Sequence, residues 1–133
     1  MGFLIVILAA VVAFAFAAVW YTAMSKPWMK AAGIAMDANG KPMGNGSMMP
    51  FVVGFVAQLL VAGMMRHIFK QSGLDTVLEG IMGGFGIGAF LITPGVTMNY
   101  AFGARPYRLS LLDGVNAVVG CTLMGVVFGL FGV

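Results

Sequence analysis

From Gly2 to Met24 the chain carries no charged side chain. A helix needs about 20 predominantly apolar residues to cross a bilayer, so this run constrains the fold more than any motif does. Three further runs of the same kind follow, each bounded by charges or turn-forming residues: about 49–69, about 75–100 and about 109–131. The second opens at Pro50, where a missing N–H does a helix no harm, and closes at Arg66, His67 and Lys70. Runs of this length suit helices, whose backbone polar groups are satisfied within the segment, and exceed the roughly 9–11 residues of a membrane strand. The sequence therefore predicts an all-α integral membrane protein, a four-helix transmembrane bundle forming a single transmembrane domain over residues 1–133, with spans at about 2–24, 49–69, 75–100 and 109–131.

Composition removes the alternative of a soluble fold. Only 8% of residues are charged and 61% are hydrophobic, where a soluble domain has roughly 25% charged residues. No polar shell can be assembled from so few charges. The net charge of +3 comes from scattered basic residues that form no phosphate-tracking stripe, which argues against nucleic acid as a partner. Anionic lipid headgroups suit it better. The single cysteine, Cys121, lies in the last apolar run, so CxxC metal or redox chemistry and an intrachain disulfide are both excluded. Ala15-Phe16-Ala17 resembles a signal cleavage site, but no Lys or Arg precedes the first run, which is read as a retained span.

The polar loop of residues 25–47 opens with Lys26-Pro27-Trp28-Met29-Lys30, read as a short interfacial segment with Trp28 among the headgroups, and continues through Gly40, Pro42, Gly44 and Gly46. Trp20 and Tyr21 suit the interface at the end of span one. Residues 71–74 allow only a tight antiparallel connection. With four spans, the first and third loops share a side that holds Lys26, Lys30, Lys41, Arg105 and Arg108, against Arg66 and Lys70 opposite. The positive-inside rule then places the protein in the cytoplasmic (inner) membrane as a multi-pass protein with both termini extracytoplasmic.

Helices in lipid associate through close backbone approach and interhelical hydrogen bonds. Gly80, Gly84 and Gly88 recur every four residues in span three, and Gly125 and Gly129 do so in span four. Ala9, Ala13 and Ala17 form a small-residue row on span one, and Gly54, Gln58 and Ala62 one on span two. These rows are expected to join the four helices of one molecule, with at least one free to meet another subunit. Pro94-Gly95 is expected to bend or break span three.

Polar residues within spans are costly and mark functional candidates. Arg66 and Glu79 fall at adjoining ends of spans two and three, which predicts an ion pair closing that hairpin; the alternative is a proton-accepting Glu79 with His67 as relay. Asp113 lies near Lys26, Lys30, Arg105 and Arg108, which are expected to neutralise it and are candidate contacts for a lipid phosphate. Asn116 follows Asp113 on the same helix face, so Gln58, Asp113 and Asn116 make up a candidate polar face. It serves either interhelical hydrogen bonding or a small hydrophilic cavity.

No catalytic constellation emerges. HExxH is absent, and the only His falls at the opposite membrane face from Asp113. Gly83-Gly84-Phe85-Gly86-Ile87-Gly88 has no strand before it and reads as helix packing, and the twelve Met residues form no copper ladder. No cofactor or metal is called for.

Trp20-Tyr21, Lys26-Pro27-Trp28-Met29-Lys30 with Gly33, Tyr100-Ala101-Phe102, Arg105-Pro106, Leu112-Asp113-Gly114 and Met124-Gly125 together resemble the bacterial family catalogued as domain of unknown function 1761. The resemblance covers most of the chain and implies a small four-span membrane protein with no assigned activity. It also implies an aromatic residue or His a few positions after the Asp-Gly step, where this chain has Asn116.

The residues point first to a non-enzymatic accessory or structural subunit that packs against a larger membrane complex or against itself, its partners being the bilayer, anionic headgroups and other membrane chains. A small homo-oligomeric transporter or channel with a path near Gln58, Asp113 and Asn116 is the alternative. A lipid-modifying enzyme comes third, and requires a deep cavity holding Asp113 with Arg105 or Arg108.

Overall fold

The computed structural model describes residues 2–33 and 48–133. The stretch 34–47, with Lys41 and the glycine-rich part of the predicted loop, lies outside the described residues. The helices are α1 (Gly2–Ala23), α2 (Ser25–Ala32), α3 (Met49–Ser72), α4 (Val77–Ile87), α5 (Thr93–Phe102) and α6 (Tyr107–Phe131), with one π-helical turn, Gly88–Ile92, joining α4 to α5. Among the described residues four segments are long and apolar enough to cross a membrane: α1, α3, the continuous stretch Val77–Phe102, and α6. The protein is an all-α bundle of membrane type.

α6 is the axis. It packs most extensively on α4, then on α1, and also on α5 and the π turn, whereas α3 leans chiefly on α1. The α4–α6 seam depends on glycine. A Cβ on Gly80 would strike the carbonyl of Gly125, and one on Gly125 the carbonyl of Gly80. Gly84 meets the Cys121 carbonyl in the same way, Gly88 meets Ala117 and Val118, and Gly129 meets Val77. Backbone therefore approaches backbone closely from Val77 to Gly88 on one side and from Gly129 back to Ala117 on the other. On α1 the fully buried alanines are Ala9, Ala10 and Ala13, while Ala17 is half-buried.

Two sequence expectations change in detail. Pro94 does not break its helix. It has no N–H to give the Phe90 carbonyl, and the chain widens to a π turn in which both the backbone N–H and the Oγ1 of Thr93 donate to the Gly88 carbonyl, the latter at 2.7 Å. Span three also begins later than residue 75. Gly73 ends α3 in the left-handed conformation (φ 73°), and Leu74 N–H bonds back to the Phe69 carbonyl at 2.9 Å. Thr76 then caps α4.

The bundle has two unlike ends. At one, Phe69 and Phe128 meet edge to face at 6.0 Å beside Met65 and Met124, all four at most 1% exposed. At the other, the ends of α1 and α5, all of α2 and the start of α6 gather aromatic and polar side chains. Lipid-facing positions such as Leu60 and Phe90, 70% and 73% exposed, are apolar, as a hydrocarbon solvent requires.

Candidate functional site

Asp113 stands in the second turn of α6, about 9 Å along the axis from Tyr107, and three aromatic donors converge on its carboxylate. Tyr21, near the end of α1, donates its hydroxyl to Oδ1 at 2.5 Å. Trp28 of α2 donates its indole N–H to the same oxygen at 3.1 Å. Tyr100 of α5 donates to Oδ2 at 2.5 Å. Both hydroxyl bonds lie at the short end of the O–H···O range. One residue earlier, the Leu112 carbonyl accepts the indole N–H of Trp20 at 2.9 Å.

Local structure explains why these groups meet. The chain bends at Met24 (φ −103°, ψ 19°) between α1 and α2, and α2 then folds back so that the Trp28 ring stands edge to face on Tyr21 at 5.9 Å. Gly33, left-handed at φ 73°, ends α2. Arg105 secures that end by donating from a guanidinium nitrogen to the Ala32 carbonyl at 2.7 Å. Gly114 lets α5 approach α6, because a Cβ there would stand 3.1 Å from the Thr93 methyl.

This corrects one expectation. Lys26, Lys30, Arg105 and Arg108 are all exposed at this end of the bundle, yet among the described residues none of them pairs with Asp113, whose oxygens are taken by neutral donors. The reason lies in depth. Tyr and Trp side chains keep an apolar body in the bundle while turning a donor inward, whereas the long cationic side chains reach out to water.

The candidate polar face divides in two. Gln58 and Asn116 share a cavity of about 130 Å³, also lined by Ala57, Ile92, Gly120 and Cys121, and Asp113 is not part of its wall. Both carboxamides lie nine residues from the start of their helices, about 14 Å deep, near the middle of a hydrocarbon layer of about 30 Å. Asn116 also stands beside the Tyr21 hydroxyl, while its Oδ1 is buried without a hydrogen-bond partner among the described residues. A polar row thus runs from Asp113 through Tyr21 and Asn116 to Gln58 and goes no further toward Phe69 and Phe128.

Arg66 and Glu79 do not pair. Glu79 is the third residue of α4 and closes a capping box: its N–H donates to Thr76 Oγ1 at 3.2 Å, and its Oε1 accepts the Thr76 N–H at 3.2 Å and that of Asp75 at 3.3 Å. The Thr-x-x-Glu spacing carries that signature in the sequence and outweighs an ion pair with a neighbouring helix. Arg66 lies instead over the start of α1, where a Cβ on Gly2 would collide with its guanidinium, and its Nε is buried and unpartnered.

The site contains an engaged carboxylate, phenols and carboxamides, and the Cys121 thiol lines the cavity of Gln58 and Asn116. Cys121 is buried and free, and among the described residues no three His, Cys, Asp or Glu side chains come together. Tyr21, Trp28 and Tyr100 were not foreseen as ligands of Asp113, although the residues on which the family resemblance rests are the ones that meet here. No curated protein and no solved structure matches the chain. The model of the protein family of unknown function DUF1761 matches residues 4–129, and the chain belongs to that family.

Proposed function

We propose that the protein is a non-enzymatic accessory or structural subunit of the cytoplasmic membrane, packing against other membrane chains or against copies of itself. The observation that carries this reading is the side opening of the bundle between α3 and the π turn, where Gln58 and Asn116 lie at mid-membrane depth around a cavity and Asn116 Oδ1 has no partner among the described residues. A buried acceptor left unpaired costs about 1–3 kcal/mol, and polar side chains join transmembrane helices where a donor is supplied from outside. The engaged state of Asp113 supports a structural role for the remaining polar cluster. Orientation follows from the basic residues: the end bearing Lys26, Lys30, Arg105 and Arg108 faces the cytoplasm, with both termini opposite.

The mass of the protein in mild detergent tests the proposal. A particle of at least two copies of the 13.9 kDa chain, or a stable hetero-complex, is expected, and Gln58→Leu with Asn116→Leu should shift it toward monomer while helix content persists. A partnerless monomer from the parent chain would overturn it.

The shared cavity also favours a second reading, a homo-oligomeric transporter in which copies complete a path at Gln58 and Asn116. The apolar seal of Phe69 and Phe128 weighs against a path through a single chain. Proteoliposomes of the parent chain should then pass a small polar solute, and Gln58→Leu should abolish the flux; no flux in the parent removes this reading.

A further inference from the structure

A second concavity, of about 300 Å³, lies between α5 and α6 and is separate from the Gln58–Asn116 cavity. Thr93, Thr97 and Ala101, one turn apart on α5, form one wall; Ser110 and Leu111 form the other; Arg105 and Tyr107 stand at the end nearest the α5–α6 turn. Its deep end is the close approach of Thr93 to Gly114. At its open end stands the cation Arg105. Lys26, Lys30 and Arg108 are exposed on the helices at the same end of the bundle, and Asp113, the carboxylate there among the described residues, is occupied by Tyr21, Trp28 and Tyr100. Among the described residues these four cations have no ion-pair partner.

We infer that this groove is a binding site for one anionic phospholipid of the surrounding leaflet, with an acyl chain along Thr97, Ala101 and Leu111 and the phosphate at Arg105. Three observations argue for this occupant. The walls are almost wholly apolar, which suits a hydrocarbon chain and not a free ion. The volume accommodates roughly ten methylenes, at about the 30 Å³ that a water molecule takes in the liquid. The charge at the mouth, Arg105, is positive and has no ion-pair partner among the described residues, and each basic residue near an anionic surface adds about fivefold in affinity. Arg105 is held ready, because its bond to the Ala32 carbonyl fixes the guanidinium at the mouth while its remaining N–H groups stay available. The inference is independent of what covers the opening beside α3.

Native mass spectrometry of the full chain, delipidated in mild detergent and titrated with phosphatidylglycerol or phosphatidylcholine of equal chain length, tests it. Saturable uptake of one phosphatidylglycerol is expected, at least about fivefold tighter than phosphatidylcholine. Arg105→Gln should remove most of that preference, and Ala101→Phe, which fills the groove from an exposed position, should abolish uptake of both lipids. Thr97→Phe repeats the second test at another position, should Ala101→Phe fail to fold. Inorganic phosphate should not compete, since it has no chain. Equal uptake of the two lipids by the parent chain, full competition by phosphate, or undiminished uptake by both groove-filling variants would overturn the inference.

Discussion

The Asp113 carboxylate takes one phenol from each side, Tyr21 of α1 on Oδ1 and Tyr100 of α5 on Oδ2, both at 2.5 Å. Tyr21 and Asp113 are 92 positions apart in the chain, so this single side chain ties the first transmembrane segment to the last two. Trp28 adds α2 to the same oxygen as Tyr21. A half-buried carboxylate is costly unless it is hydrogen-bonded, and the three donors supply those bonds without any of the cations at this end. Structure and surface charge are thereby separated: Asp113 joins the helices, and the cations are exposed.

Removing the acceptor should cost more than removing any one donor. Tyr100→Phe deletes one bond and is expected to lower stability by about 1 kcal/mol, in the range of measured interhelical bonds in membranes. Asp113→Ala leaves three donors unpaired and is expected to cost about 3 kcal/mol. Unfolding in mixed detergent micelles, followed by circular dichroism, measures both. An Asp113→Ala variant as stable as Tyr100→Phe would show that the carboxylate does not organise the cluster.

Glu79 and Arg66 should be energetically independent. Glu79→Ala is expected to destabilise the protein through loss of the cap on α4, and Arg66→Gln should leave that loss unchanged. A double-mutant cycle is the suitable measurement, and the two effects are expected to add. A clear departure from additivity would restore the ion pair that the geometry denies.

The parts of the fold that depend on composition and spacing could be read directly from the chain. Four apolar stretches of bilayer length leave little choice of architecture, and the four-residue recurrence of Gly80, Gly84 and Gly88 puts them on one face of a helix whatever the neighbour. The partner of Asp113 could not be read in this way. Proximity in depth to four cations suggested charge pairing, but which side chain reaches a buried oxygen depends on helix rotation and on the bend at Met24, and neither is written in hydropathy. Glu79 is the opposite case. Its partner lies three residues away, and Thr76-x-x-Glu79 is a local pattern that outranks the proximity of neighbouring helix ends.

Cys121 reports on the seam independently. Its side chain is 3% exposed, and its carbonyl is the atom that a Cβ on Gly84 would strike. In detergent or vesicles, a membrane-permeant maleimide is expected to leave it unlabelled over hours and to react fully after denaturation, because access limits thiol chemistry. Gly84→Val, which forces the helices apart, should expose it. Rapid labelling of the parent chain that persists in Gln58→Phe, which fills the cavity Cys121 lines, would mean that α4 and α6 separate readily.

The α4–α6 seam itself supplies the sharpest contrast. Gly80 and Gly86 belong to the same helix and differ by six positions, but a Cβ on Gly80 runs into the Gly125 carbonyl, whereas one on Gly86 meets nothing within 4 Å. Gly80→Ala should therefore lose about 2–3 kcal/mol, because neither backbone can yield without parting the helices and overpacking on rigid atoms is seldom relieved. Gly86→Ala removes a flexible residue from a helix interior and gains a side chain toward lipid, so it should be neutral or stabilising by up to about 1 kcal/mol. The same substitution at two sites of one helix cancels most effects of propensity and unfolded state, leaving contact with α6 as the difference. Detergent-titration unfolding of the two variants side by side measures it, and a gap smaller than about 1 kcal/mol would mean that the close approach of Gly80 and Gly125 is not what holds α4 to α6.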